Sequence, residues 1–468
     1  MRAKRDTIFI VTLVLALLAS TGAALTAWAS AGTRQTIQVN GGGSLTSGLN
    51  TTVSANGTPS SSKSTGSNGG TGGGYGGTGG AGGTGGTGAA GGGAGSGGAG
   101  NTGVSNDTIK IGGIFSESGG IDATVEEDTV RACFQYYNAQ GGINGHKLQL
   151  VSYDDGLNGD TAYSEAVKLD TSDHVFAIVG WLAPFGEARA APYFEQHGIP
   201  IVGGLGVPEE FNSKYSFPVS PVFHTDGYLL GQYAVANLHF KHPAVFLTQT
   251  AGINDVADGI KAGAAAHGVT ISNNDIVLVP FAETNFESYL LQFQSEGVDG
   301  LITQLDPYSY VRLYSNMQSN NHIFPHLAGA GMDKQSVDQA IGSPLVGAYS
   351  FMPYREAQGN PDGNSEVALY NSTVARYYRN QVPNMDAFSE GSWVACRVFA
   401  QALAKLGANV TRDGLARALA SGNYSTGGMA PDLNYAATNG ANDASHCALY
   451  ITYNSSHQWK TAQTFTCA

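Results

Sequence analysis

Short apolar runs alternate with longer amphipathic segments along most of the chain after residue 107. In the first such unit, the run IKIGGIF leads through a Gly/Ser loop into a segment with helical spacing, which ends at GGING and precedes the run HKLQLVSYDD. A strand, a helix and a second strand in this order form a βαβ unit. The same alternation recurs at FAIVGW, GIPIVGG, AVFLTQT and DGLITQL. It predicts an α/β fold with parallel sheets.

The loops that follow these strands are the candidate ligand-binding segments. In open α/β folds, small ligands bind in the crevice outside the carboxyl ends of the strands. Gly- and Ser-rich loops at that edge expose backbone N–H groups, which suit carboxylates and amides. The predicted ligand-binding residues are Ser116, Glu117, Ser118, Trp181, Pro184, Phe185, Leu205, Gly206, Val207, Thr250, Asp306, Tyr308 and Ala330.

A different pattern precedes the alternating region. Three of the first five residues are basic, an uncharged apolar run follows, and Ala27-Trp28-Ala29 fits a signal cleavage site. Residues 1–32 are therefore predicted to be either a signal peptide or a retained membrane anchor. Residues 33–103 are mostly Gly, Ser, Thr and Ala, which predicts a disordered linker. Both alternatives place the rest of the chain outside the cytoplasm, secreted or anchored to the outer face of the cell membrane.

The charge balance argues against several classes of partner. The chain has 23 Lys and Arg against 36 Asp and Glu, a net charge of −13, and the part after residue 103 has no cluster or stripe of basic residues. This excludes a typical nucleic-acid or anionic-lipid surface. The sequence contains no G-x-S-x-G, H-E-x-x-H or P-loop motif. We therefore expect a binding protein rather than an enzyme, with no cofactor and no metal.

The four cysteines fit two disulfides, because their number is even and the expected compartment is oxidising. Cys447 and Cys467 flank two alternating apolar runs around a polar turn at 454–456. In a hairpin these two positions lie opposite each other, so we pair them. By elimination, Cys133 on the first predicted helix pairs with Cys396 on a late helix.

Several motifs resemble those of type I periplasmic solute-binding proteins of ABC transporters, in the branched-chain amino-acid (leucine/isoleucine/valine) receptor branch. They are K-I-G in the first strand, the Ser-Gly loop, N-A-Q-G-G-I-N-G after the first helix, Y-D-D in the second strand and G-I-P-I-V-G-G later. The resemblance covers nearly all of residues 107–435. It implies that residues 104–468 form two doubly wound parallel-sheet lobes joined by a three-strand hinge. Lobe 1 is expected at about 107–222 and 352–424, and lobe 2 at about 223–351 and 425–468.

The same resemblance implies a function. Members of this family are extracytoplasmic substrate-binding proteins, which capture a small solute between closing lobes and deliver it to an ABC permease in the membrane. The predicted Gly-rich linker also fits an alternative, a tethered extracellular sensor that passes ligand occupancy to a membrane partner.

The positions that hold an amino acid in this family differ here. Family members bind the ligand carboxylate through a Ser and its ammonium group through a Thr and a Glu, and these positions are Pro184, Val207 and Ala330 in this chain. A buried ammonium group without an acid costs on the order of several kcal/mol, so we expect leucine, isoleucine and valine to bind weakly. Asp306 or Glu117 could replace the missing acid. The alternative is a more apolar pocket, lined by Trp181, Phe185 and Tyr308.

Overall fold

The computed structural model describes residues 102–211, 213–438 and 443–468. The predicted signal peptide or anchor at 1–32 lies outside the described residues, as does the predicted linker at 33–103 except for Thr102 and Gly103. Within the described part of the chain, no helix combines the length and the apolarity needed to span a bilayer.

The first sheet has five strands, all parallel, in the order β2-β1-β3-β4-β5. Ile111 and Phe115 of β1 pack into one core and Ile114 into another, because successive side chains of a strand point to opposite faces. The sheet is therefore covered on both faces, as a parallel sheet requires. Its strands are β1 Thr108–Phe115, β2 Lys147–Asp154, β3 Ala177–Val179, β4 Ile201–Val202 and β5 Ser216–Phe217.

Four helices connect these strands. Helix α1 contributes Val130 and Phe134 to the core on one face, whereas α2 and α3 contribute Leu169 and Phe194 to the core on the other. The helices are α1 Thr124–Ala139, α2 Gly159–Thr171, α3 Glu187–Gln196 and the single turn α4 Pro208–Phe211.

The second sheet has seven strands in the order β14-β13-β10-β9-β8-β6-β7. Strands β6 to β10 are parallel to one another, and β13 continues the sheet antiparallel to β10. These strands are β6 Pro243–Thr248, β7 Ile276–Val279, β8 Gly300–Gln304, β9 His326–Ala328, β10 Tyr349–Met352, β13 Cys447–Tyr453 and β14 Trp459–Cys467. Two helices cover one face and three the other: α5 Phe223–Ala236, α6 Ile253–Ala265, α7 Glu287–Glu296, α8 Pro307–Ser319 and α9 Gln335–Ile341.

Helices α5 and α6 pack unusually closely, because glycines line their contact. A Cβ atom added at Gly231 would lie 2.1 Å from the Ile260 carbonyl oxygen, and one added at Gly263 would lie 2.0 Å from the Tyr228 carbonyl oxygen. The backbones of the two helices are in direct contact at these glycines, so no side chain larger than a hydrogen atom fits at either position.

After β10 the chain returns to the first sheet. Helices α10 and α11 pack against α1, and α12 and a two-stranded sheet follow. These elements are α10 Ser365–Tyr377, α11 Ala387–Lys405, α12 Arg412–Ala420, β11 Asn423–Tyr424 and β12 Leu433–Asn434. Short 3₁₀ turns lie at Asn273–Asp275, Ser343–Leu345, Arg379–Asn384 and Tyr435–Ala437.

The chain crosses between the two sheets three times, after β5, after β10 and before β13. The third crossing lies later than the predicted boundary between residues 424 and 425. Leu433 and Tyr435 pack in the first-sheet core, and the Tyr435 hydroxyl donates a 2.8 Å hydrogen bond to the Pro218 carbonyl. These buried contacts hold the segment through Tyr435 on the first lobe.

Both predicted disulfides are confirmed. Cys133 on α1 is bonded to Cys396 on α11, and Cys447 is bonded to Cys467. The second pair consists of directly opposed positions in the β13–β14 hairpin, as the alternating pattern predicted.

Candidate functional site

A cavity of about 630 Å³ lies between the two sheets. The first-sheet side contributes the segments after β3 and β4 and the start of α1, whereas the second-sheet side contributes the segments after β6, β8 and β9. This is the position at the carboxyl ends of parallel strands where α/β folds bind small molecules. The wall is mainly apolar, and its largest side chains are Trp181, Phe223, Phe281, Tyr308, Tyr354 and Phe388.

The structure brings seven of the thirteen predicted ligand-binding residues to the wall of this cavity. They are Trp181, Pro184, Leu205, Thr250, Asp306, Tyr308 and Ala330. The remaining six lie outside the wall: Ser116, Glu117, Ser118, Phe185, Gly206 and Val207.

The loop after β1 is held by the two acids that end β2. The Ser116 hydroxyl donates to Asp155 Oδ1 at 2.6 Å, and the Ser118 hydroxyl donates to Asp154 Oδ2 at 2.7 Å. The Glu117 amide also donates to Asp154, at 2.9 Å. Burial and the neighbouring Glu127 carboxylate raise the pKa of Glu117 to about 8. The polar groups of this loop thus face β2 and α1.

Two buried glutamates hold the other first-sheet loops. The Glu187 carboxyl accepts the Ala183 and Leu205 amides at 3.1 and 2.7 Å, and the Glu210 carboxyl accepts the Gly206 amide at 3.0 Å. Both side chains are fully buried. Burial raises the pKa of Glu187 well above its usual range and that of Glu210 to about 8. For Glu187, the neighbouring Glu210 carboxyl adds to the effect of burial, because two nearby carboxyls disfavour each other's charged forms.

Phe185 lies beside the cavity rather than in its wall. Its ring meets that of Phe281 edge to face, with centroids 5.8 Å apart. Phe281 follows β7 and lines the cavity from the second-sheet side. The two rings therefore form a contact between the lobes. Val207, by contrast, is fully buried within the first lobe.

Asp306 caps helix α8. One carboxylate oxygen accepts the Tyr308 and Ser309 amides, and the other accepts the Ser309 and Thr248 hydroxyls and the Ala282 amide, all at 2.6 to 3.3 Å. These five donors come from the protein itself, so Asp306 has little capacity left for a ligand ammonium group. Asp306 therefore positions the loop that carries Tyr308.

A buried ion pair forms a polar part of the wall that sequence reasoning missed. Lys334 Nζ lies 3.1 Å from Asp386 Oδ2, and Glu126 lies beside them. Burial opposes the charge on Lys334, but the two carboxyls outweigh it and raise the pKa of Lys334. These residues belong to helix starts on three separate segments, so no loop pattern in the sequence joins them.

Asp226 is a second missed residue of the wall. One of its oxygens is buried and meets no donor among the described residues. Desolvation, reinforced by Asp443, raises the pKa of Asp226 well above its usual range. Its position in the first turn of α5, just after a lobe crossing, was the available sequence signal.

Comparisons with known proteins agree with this geometry. The family model for periplasmic binding proteins matches residues 108–458. The leucine-specific-binding protein of Salmonella typhimurium is 24% identical over 268 residues, which cover 55% of this chain and 70% of that protein.

Solved structures give the same result at low identity. A fatty acid ABC transporter substrate-binding protein from Thermomonospora curvata superposes with a TM-score of 0.68 at 16% identity and covers 79% of this chain and 94% of its own. A second similar structure is a branched-chain amino acid transporter substrate-binding protein from Streptococcus pneumoniae in complex with isoleucine. Its TM-score is 0.64 at 17% identity, and the superposition covers 76% of this chain and 100% of that one. At this identity the likeness concerns the fold. Since the family model spans most of the sequence, the chain belongs to the periplasmic binding protein family.

Proposed function

We propose that this protein is the substrate-binding component of an ABC importer, capturing a small solute outside the cytoplasm and presenting it to a membrane permease. The supporting observation is the cavity of about 630 Å³, which is lined from both sheets. A solute there contacts both lobes at once, so its binding favours the closed arrangement. Family membership supports the same role, because the relatives are binding proteins of ABC transporters.

The lining favours a solute with a largely apolar body. Tyr308 lines the cavity with 54% of its surface still accessible, which leaves its ring free to pack on a ligand. Pro184 and Ala330 offer no polar side-chain atom, Val207 is outside the wall, and Asp306 is occupied by its own helix. None of these four positions offers a free acid to a ligand ammonium group. Asp226 keeps an unpartnered oxygen at the wall, but its pKa is raised well above its usual range, so a free α-amino acid would have to ionise a carboxyl that favours its protonated form.

We further propose that the solute carries a carboxylate. Arg312 is exposed at the cavity wall, and it forms no ion pair with any described residue. A guanidinium group is the natural partner of a carboxylate, because it donates two parallel hydrogen bonds. Among the similar structures, one belongs to a fatty acid transporter and another is a complex with benzoate. Medium-chain and aromatic carboxylates are thus the first compounds to try.

Calorimetry with octanoate, benzoate, uncharged benzamide and leucine tests this proposal. We expect a carboxylate to bind more tightly than leucine, and Arg312→Gln to weaken benzoate but not benzamide. Tyr308→Ala should weaken the binding of benzoate by about 1 kcal/mol or more, since aromatic side chains buried against a ligand contribute this much or more to binding. Tyr163→Ala, which removes a 41% exposed tyrosine outside the cavity wall, is the control. Micromolar binding of leucine, with no binding of either carboxylate, would contradict the proposed ligand class.

A further inference from the structure

Three buried acids converge next to the solute cavity. A carboxylate oxygen from each of Asp333, Glu356 and Glu390 lies within 4.8 Å of the others. The three side chains are 1%, 2% and 0% exposed. They come from three separate segments: the loop between β9 and α9, the crossing after β10 and the first turn of α11.

The oxygens of this cluster are poorly satisfied. Asp333 Oδ1 accepts the Gly331 amide and Glu356 Oε1 accepts the Gln358 amide, but the second oxygen of each meets no donor among the described residues. Neither oxygen of Glu390 has a hydrogen-bond partner there, although the Ala357 amide faces this carboxyl and favours its charged form. Buried carboxylates need a donor, a proton or a cation, since desolvation otherwise strongly disfavours their charge.

Lys334 lies close enough to stabilise the charged form of Asp333, but it compensates the cluster only in part. Lys334 is ion-paired with Asp386 and also faces Glu126, so its positive charge is shared with two further acids. Burial and the neighbouring Asp386 carboxylate raise the pKa of Asp333 to about 8, although the Lys334 charge opposes this rise. Shielded from water, these carboxyls favour their protonated forms, and a compact cation bound between them would displace those protons and satisfy the free oxygens.

We infer that Asp333, Glu356 and Glu390 form a binding site for a divalent cation of the calcium type. Calcium takes oxygen ligands at about 2.3–2.6 Å, so ligand oxygens on one ion lie up to about 5 Å apart, which matches the observed cluster. The ion would join a loop of the second lobe to a helix of the first through the crossing segment between them. It would therefore set the geometry of the hinge beside the cavity, whichever solute the cavity holds.

Metal binding to the full chain tests the inference. Protein stripped with EDTA should bind Ca²⁺ in equilibrium dialysis, and Ca²⁺ at about 1 mM should raise its melting temperature, because extracellular calcium modules bind at or below this concentration. Glu390→Gln and Asp333→Asn should weaken Ca²⁺ binding at least about tenfold. Glu165→Gln, on helix α2 and outside the cluster, should bind Ca²⁺ like the parent.

Two results would overturn the site. The inference fails if dialysis detects no Ca²⁺ on the stripped parent protein, and a gain in the stability of Glu390→Gln at neutral pH would then show that the carboxyls hold protons instead of an ion. If the parent binds Mg²⁺ more tightly than Ca²⁺, the calcium-type assignment is wrong. The dialysis of the parent decides the question even where a variant fails to fold.

Discussion

At the scale of single residues, the Glu187–Glu210 pair determines the shape of the cavity on the first-sheet side. Its oxygens accept amides from the loops that carry Pro184 and Leu205, both of which line the cavity. Because one carboxyl accepts hydrogen bonds from both loops, it fixes the position of each loop relative to the other. Carboxyls suit this work because each oxygen accepts hydrogen bonds independently.

The pair also predicts a pH dependence of stability. The pKa of Glu210 rises from 4.5 to about 8 on folding, so the folded state binds its proton more tightly than the unfolded state. Its contribution is fully present below pH 4.5 and is lost as the pH rises toward 8, at up to about 1.4 kcal/mol per pH unit. Glu210→Gln keeps the acceptor for Gly206 without titrating, so its free energy of unfolding should fall less than that of the parent between pH 5 and 8.

Urea unfolding at both pH values measures this difference. Glu209→Gln, at the neighbouring exposed position, is the control and should follow the parent. If the free energy of unfolding changes by the same amount between pH 5 and 8 in Glu210→Gln and in the parent, the pair does not titrate across this range.

At the scale of secondary-structure elements, the α5–α6 contact predicts an unusual response to alanine. On an exposed helix face, replacing glycine with alanine stabilises by about 1 kcal/mol. At Gly263 the added methyl group would overlap the Tyr228 carbonyl oxygen, so the helices must separate. We expect Gly263→Ala to destabilise by about 1–3 kcal/mol, the usual cost of overpacking. Ala262→Gly, on the exposed side of α6, should lose only about 1 kcal/mol.

Thermal or urea unfolding of the two variants provides the measurement. A Gly263→Ala protein as stable as the parent would mean that the two helices can move apart without cost.

The elements themselves were largely predictable from the sequence, but the cavity wall was only partly so. Strands such as β1 and β6 are apolar runs of the right length, and the Cys447–Cys467 hairpin alternates clearly. Ser116 and Ser118 were expected at the ligand because they follow a strand, yet the acids ending β2 take their hydrogen bonds. Lys334 and its partners were missed because they meet only through the lobe crossings, which pattern and spacing do not encode.

At the scale of the whole molecule, we expect the Phe185–Phe281 contact between the lobes to stabilise the closed arrangement. An edge-to-face pair contributes about 0.5–1.5 kcal/mol, so Phe281→Ala should lower the ratio of closed to open molecules by about twofold to tenfold. All four native cysteines are disulfide-bonded, so cysteines introduced at exposed Tyr163 and Leu291 can be spin-labelled selectively.

Distances between the two labels report the population of closed molecules. A saturating solute should shorten the mean distance, and Phe281→Ala should shift it toward the open value. Val346→Ala, an exposed position outside this contact, is the control. If neither the solute nor Phe281→Ala changes the distance distribution, these lobes do not close on the ligand.

The Cys133–Cys396 disulfide can form only after most of the chain has been synthesised. The two cysteines are 263 positions apart, and strands β6 to β10 lie between them. At about 5–20 residues per second, Cys133 waits roughly 13–50 s for its partner to be made. No other cysteine lies in that interval, so the growing chain offers this thiol no wrong partner of its own. All five parallel strands of the second lobe are therefore synthesised before the disulfide can link the two parts of the first lobe that lie on either side of them.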